Sequence, residues 1–237
     1  MTPTRRTFMQ QSPAMTLAAG SAATANAARK KNQATPPVQL PPQPASDKPW
    51  LEAGDLVSKM EWTNPPAETS FGAGTVTAKS KPRTDFWRKT FYGYITDNGH
   101  LFSLPVFGDF NFQARVNGKY AALYDQAGLM VRLDEKHWMK CGSEFVDGKR
   151  WASVVFTHDF SDWSTMEDLS QDAPVYWRVA RKKDSIEAQV SRDATAWQTI
   201  RQGYFPPAVE VRVGVMCAAP EGAGFVATFD ELRLDKP

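Results

Sequence analysis

The sequence predicts an all-β fold, a two-sheet antiparallel sandwich of the jelly-roll type. Three observations predict it. Several segments alternate apolar and polar residues with a period of two, turn-forming pairs separate them, and no stretch sustains the 3.6-residue period of an amphipathic helix. One sheet of about a dozen short strands would leave an apolar face in water, so two sheets must pack on each other.

Residues 1–28 stand apart. Thr4-Arg5-Arg6-Thr7-Phe8-Met9-Gln10 resembles a twin-arginine export signature. An Ala-rich apolar stretch follows, and Ala25 and Ala27 offer an A-x-A cleavage site. The expectation is export by the twin-arginine route, to the periplasm or beyond the cell. Residues 29–49 carry Pro36, Pro37, Pro41, Pro42, Pro44 and Pro49 without apolar periodicity, which predicts an extended, semi-rigid linker. The predicted β-sandwich domain spans residues 50–237.

Within that domain Phe110, Phe112, Ala114 and Val116 share one face of a strand, against Asn111, Gln113 and Arg115. Leu129, Val131 and Leu133 repeat the pattern, as do Val209, Val211, Val213 and Val215. Asp97-Asn98-Gly99, Asn117-Gly118, Asp147-Gly148 and Glu221-Gly222 are the turn signals. A two-residue turn at Asp147-Gly148 pairs Val146 with Lys149, Glu144 with Trp151, Lys140 with Val155 and Trp138 with Thr157. Met139, Cys141, Phe145, Ala152, Val154 and Phe156 then face the core; a three-residue turn would mix the faces. Trp138, Lys140, Glu144, Trp151, Ser153 and Thr157 fall on the opposite face, predicted to be open. Cys141 and Cys217 both continue core-facing positions, as a disulfide or as buried thiols.

Composition narrows the partners. From Trp50 onward the chain has 22 basic and 25 acidic residues, a net charge of −3. A duplex-binding surface needs dense positive charge, so no nucleic-acid partner is expected. No apolar run reaches the roughly 18 residues of a transmembrane segment. All eight Trp lie at or after Trp50.

Four motifs occur in order: Thr84-Asp85-Phe86-Trp87-Arg88, Tyr124-Asp125-Gln126-Ala127-Gly128-Leu129-Met130, Trp138-Met139-Lys140-Cys141-Gly142-Ser143-Glu144 and Ser161-Asp162-Trp163-Ser164. Together they resemble the family of regulator-of-enolase-like proteins, over roughly Lys59 to Leu234. The resemblance implies the concanavalin A-like lectin and glucanase fold and brings no activity with it. In Ser191-Arg192-Asp193-Ala194, Ala194 stands where such sandwiches often show Gly; it reads as an ordinary turn.

Catalytic signatures are sparse. The Glu-x-Asp-x-x-Glu strand of glucanases is missing, and retaining hydrolysis needs a second carboxyl about 5 Å from the first. Glu144 and Asp162 are the catalytic candidates, with Asp125 or Asp85 able to join only through folding; for Glu144 a solvated or ion-paired strand residue is the preferred reading. His100, His137 and His158 lack metal-pair spacing and read as structural. Asp125 and Asp162 could hold Ca²⁺, although turn and cap roles fit them better, so no cofactor is expected.

The favoured expectation is carbohydrate binding: Trp stacks on the apolar faces of sugar rings while charged and amide groups meet the hydroxyls. Trp138, Lys140, Glu144, Trp151, Gln113, Arg115, Arg132 and Asp125 are the predicted ligand-binding residues. The rivals are a glycoside hydrolase or polysaccharide lyase of the same fold and a protein-interaction domain.

Overall fold

The turn at Asp147-Gly148 closes the longest hairpin of the chain. Both residues take left-handed backbone angles, φ 51° and 78°, the geometry of a two-residue turn matched to strand twist. All four pairs anticipated from the sequence are present in the computed structural model. It describes residues 51–72, 74–167 and 173–235, with backbone only for Glu52 and Ala53. The export signature and the Pro-rich linker lie outside the described residues.

The elements run in order: β1 (Leu51–Glu52), α1 (Ala53–Lys59), β2 (Glu61–Thr63), β3 (Glu68–Gly72), β4 (Thr75–Lys79), β5 (Phe86–Arg88), β6 (Ile95–Asp97), β7 (His100–Val106), β8 (Phe110–Gly118) and β9 (Gln126–Arg132). Then come β10 (His137–Val146), β11 (Lys149–His158), β12 (Phe160–Glu167), β13 (Val175–Lys182), β14 (Ser185–Ser191), β15 (Gln198–Tyr204), β16 (Val211–Ala218) and β17 (Val226–Asp235). One sheet has the order β15-β14-β13-β8-β17-β4-β3, with β1 also paired to β17; the other has β12-β11-β10-β9-β16-β7-β2. Every strand pairing within the two sheets is antiparallel. β5 and β6 form a separate small hairpin.

This is the expected all-β sandwich. Its core is filled from both inner faces, with Phe112, Trp177 and Phe229 from one sheet meeting Leu129, Met139, Val213 and Val215 from the other. The strands outnumber the dozen expected because β1, β2, β5 and β6 are too short to show an alternating pattern. With about two turns, α1 is likewise too short for a periodic signal; it carries Asp55 near its start and Lys59 at its end, which suits the helix dipole, and it buries Leu56 completely. Asn117-Gly118 is not a turn. It completes β8, pairing with Thr228 and Ala227, and the chain reverses afterwards.

Cys141 and Cys217 are free and buried. They lie two strands and two residues apart across β9, on the order of 12 Å from strand spacings, beyond the roughly 7 Å between Cα atoms that a disulfide spans. Burial raises both thiols, Cys217 to about 12.

Candidate functional site

Alternation puts Trp138, Lys140, Gly142 and Glu144 of β10 on the outer face of the seven-stranded sheet. Their neighbours there are Arg132, Met130, Gly128 and Gln126 on β9, and Thr157, Val155, Ser153 and Trp151 on β11. The sequence predicts this face to be open. The structure covers much of it.

The cover is the segment between β4 and β7, residues 80–99, which includes the β5–β6 hairpin. Phe86, Trp87 and Tyr92 from this flap pack with Leu101, Met130, Trp138, Val155 and Met216 into a second apolar cluster outside the sheet. Trp138 is therefore 1% exposed, its ring centroid 6.1 Å from that of Phe86. It cannot present a face to a sugar, so its predicted stacking role is corrected to a structural one. The physical reason is simple: an aromatic on an outer face is covered whenever a loop brings enough apolar surface to it.

Lys140 is buried as well. Its Nζ donates to Gln126 Oε1 at 2.7 Å, to the Phe86 carbonyl at 2.8 Å and to Asp85 Oδ1 at 3.1 Å. A buried ammonium needs such partners, because an unpaired charge in this setting would cost several kcal/mol. Asp85 Oδ1 also accepts the Phe86 amide and the Gln126 side-chain amide. Glu144 is 2% exposed, and its Oε2 accepts the Trp163 indole N–H at 3.1 Å, an N–H shared with Ser153 Oγ at 3.0 Å.

Gly128 and Gly142 face each other beneath these groups. A Cβ on Gly128 would lie 1.9 Å from the Cys141 carbonyl oxygen, and one on Gly142 would lie 2.2 Å from that of Ala127. The two strands thus approach too closely for side chains, leaving a dip in the face. A cavity of about 10 Å³ sits there, bounded by Gln126, Lys140, Gly142, Glu144, Ser153 and Met216. It has room for about one water. Trp151, half-buried and directly across from Glu144, and Trp163, whose indole N–H reaches Glu144 and Ser153, flank these lining residues and form the rim of the site.

The flap is fastened on several sides. Arg132 grips Asp97 through two hydrogen bonds of 2.7 Å and lies over the Phe86 ring. Arg88 and Lys89 both engage Asp159, in the turn between β11 and β12, while Ser161 Oγ accepts the Arg88 amide. These cations, Lys89 first, pull the Asp159 carboxyl down to about 2. At the base of the flap, His100 Nε2 accepts the Lys81 amide and Nδ1 meets the Asn64 carbonyl at 2.6 Å, a pattern that fixes the neutral ring. Burial lowers its pKa.

The remaining predicted residues divide. Gln113 and Arg115 lie on the outer face of the other sheet and do not join the site; the sequence could not show that β8 belongs to a different sheet. Arg115 instead forms a bidentate pair with Asp230. Asp162 does not join Glu144 either. Its position faces away from the outer surface, and it pairs with Arg201 of β15, linking the edges of the two sheets. Asp125 is buried, with Oδ2 accepting the Ala121 and Ala122 amides; burial raises its pKa. It caps the loop through these two amides, and among the described residues no group of three or more His, Cys, Asp or Glu is placed to hold a metal. His137 and His158 lie opposite each other, as the hairpin register requires.

Asp85, Gln126, Ser153 and Trp163 complete the site although the sequence ranks none of them as ligand-binding. The four recognised motifs were the signal. They are far apart along the chain, yet Asp85, Gln126, Lys140 with Glu144, and Trp163 converge on one outer face.

Comparison with known proteins shows the family. A family model described as "Protein of unknown function (DUF1349)" matches residues 62–237. The chain belongs to this family. A curated relative, Regulation of enolase protein 1 of Saccharomyces cerevisiae, is 40% identical over 181 residues, 76% of this chain and 91% of its own. The crystal structure of a functionally unknown protein from Saccharomyces cerevisiae matches at TM-score 0.74 and 40% identity, over 77% of this chain and 98% of that one. Two more distant likenesses show the shared fold. A GH43 protein from Bacillus licheniformis matches at TM-score 0.63 and 12% identity, over 84% of this chain but 41% of its own length. A carbohydrate-binding module, CBM66 from Bacillus subtilis, matches at TM-score 0.51 and 10% identity, over 74% of this chain and 95% of that one. The family member described here is thus a β-sandwich, a fold it shares with that GH43 protein and that carbohydrate-binding module.

Proposed function

We propose that this protein binds carbohydrate at the rim of the flap-covered pocket, where Trp151 and Trp163 flank Glu144. The single observation that carries the reading is the buried polar set on an outer sheet face. Lys140, Gln126, Glu144 and Ser153 surround a dip with a glycine floor, where an apolar cover would be simpler. Buried polar groups kept beside half-buried Trp suit a ligand with hydroxyls and apolar ring faces. The small cavity accepts a hydroxyl or a water, so the ring itself rests against the Trp rim. The shared fold with a carbohydrate-binding module supports the same reading.

Binding is favoured over hydrolysis because Asp85, the other carboxylate near Lys140, is engaged by that ammonium and by two amides. Retaining chemistry needs a second carboxyl beside the substrate. A protein-interaction role is the second reading, favoured by exposed Phe91, Ile95 and Phe160 on and beside the flap.

The test is Trp151→Ala on an array of neutral oligosaccharides. Carbohydrate binding predicts a signal for the parent and its loss, about tenfold or more, in a variant that still unfolds near the parent temperature. Release of shortened products would favour the hydrolase. A parent blank on every glycan would favour the interaction reading.

Export belongs to the same proposal. Arg5→Lys with Arg6→Lys should retain the precursor in the cytoplasm, and unchanged export of that double variant would remove the idea.

A further inference from the structure

A second concavity lies at the end of the sandwich where the β10–β11 turn meets the connection from β8 to β9. The Tyr124 amide donates to the Phe145 carbonyl and the Phe145 amide to that of Asp125, so the connection is held against the end of β10. Between them opens a cleft of about 560 Å³, within the roughly 300–1,000 Å³ usual for small-molecule sites. Lys119, Lys149 and Arg150 line it together with Tyr120, Phe145 and Asn117, and among the described residues no acidic side chain lines it.

That charge distribution runs against the rest of the domain, which is net negative from Trp50 onward. Arg150 is 5% exposed and donates to the Ala173 carbonyl at 2.8 Å, so its cation is held in place. Lys119 and Lys149 are exposed, and neither side chain has an ionic partner among the described residues. Lys119 and Lys149 facing one cleft raise its potential and favour an anion there. Tyr120, packed on Phe225 at 5.2 Å between ring centroids, and the half-buried Phe145 add apolar surface beside the cations. A bare inorganic anion would use the charge and leave the aromatic edges unsatisfied.

We propose that this cleft binds an acidic oligosaccharide, with uronate carboxylates meeting Lys119 and Lys149 and sugar rings lying against Tyr120 and Phe145. The site shares no residue with the Trp151 rim and stands or falls separately from it.

Titration calorimetry of the full chain with tetragalacturonate tests this. The parent should bind, with affinity falling as salt rises from about 0.02 to about 0.5 M, since exposed charges are screened over that range. Lys119→Gln with Lys149→Gln should weaken binding about tenfold or more without moving the unfolding temperature, because both side chains are exposed. Trp151→Ala should leave it unchanged. The proposal is overturned if the double Lys variant binds like the parent, or if a neutral xylotetraose binds the Trp151→Ala variant as tightly as tetragalacturonate does. It is also overturned if inorganic phosphate competes as well as the tetrasaccharide, the mark of a plain anion site, or if Trp151→Ala abolishes binding.

Discussion

Trp138 illustrates how one side chain can separate two roles. A stacking Trp at a binding surface can be removed with little effect on folding, whereas a buried one leaves a cavity. With Phe86 packed over it, Trp138→Ala should destabilise the protein by about 3–5 kcal/mol, measured by urea unfolding. A loss below about 1 kcal/mol would mean that the flap does not cover it in solution. Lys140 obeys a related logic. Lys140→Met removes the ammonium from the buried Asp85 carboxylate and should cost about 3–5 kcal/mol, and adding Asp85→Asn should recover a large share. Additive losses in the double variant would show that the pair is not coupled. Ala194 supplies the opposite sign. It holds a left-handed φ of 60° in the turn capped by Asp193, so Ala194→Gly should stabilise by roughly 0.5–1 kcal/mol. An unchanged or lowered thermal midpoint would show that this strain is relieved elsewhere.

Among the elements, the β10–β11 hairpin was legible from the sequence and the flap was not. A two-residue turn followed by strict alternation leaves one register that keeps Met139, Cys141, Val154 and Phe156 on one face, so register and core-facing residues follow from local pattern. Burial of Trp138 and Lys140 depends on residues 80–99, some forty positions upstream, and a strand face looks the same in sequence whether a loop crosses it or not. Even so, Asp85-Phe86-Trp87-Arg88 stood out as a motif; what the sequence lacked was the destination of each side chain. The flap should also respond to acid before the sheets do. Asp159 is depressed in the folded state, so the stability it contributes is present above the ordinary carboxyl value near 4 and is lost as pH falls through about 2. Amides of β5 should therefore lose hydrogen-exchange protection between these values while those of β8 and β16 keep theirs. Asp159→Asn should abolish that pH dependence. Simultaneous loss in the flap and the sheets would make the flap part of the global unit.

For the whole molecule, the described residues fall within one compact unit, Lys48–Pro237, and both sheets share one continuous core. Residues 50–237 should therefore unfold in a single transition seen alike by far-ultraviolet circular dichroism and Trp fluorescence, and two resolved transitions would count against this. The paired sheets also bury Cys141 and Cys217, one on each side of β9 in the seven-stranded sheet, with burial opposing the reactive thiolate. A maleimide added at neutral pH can label them only in molecules whose sandwich has come apart. The chain thus carries its own clock: the rate at which label accumulates under native conditions counts openings of the central sheet, with no engineered probe and no denaturant.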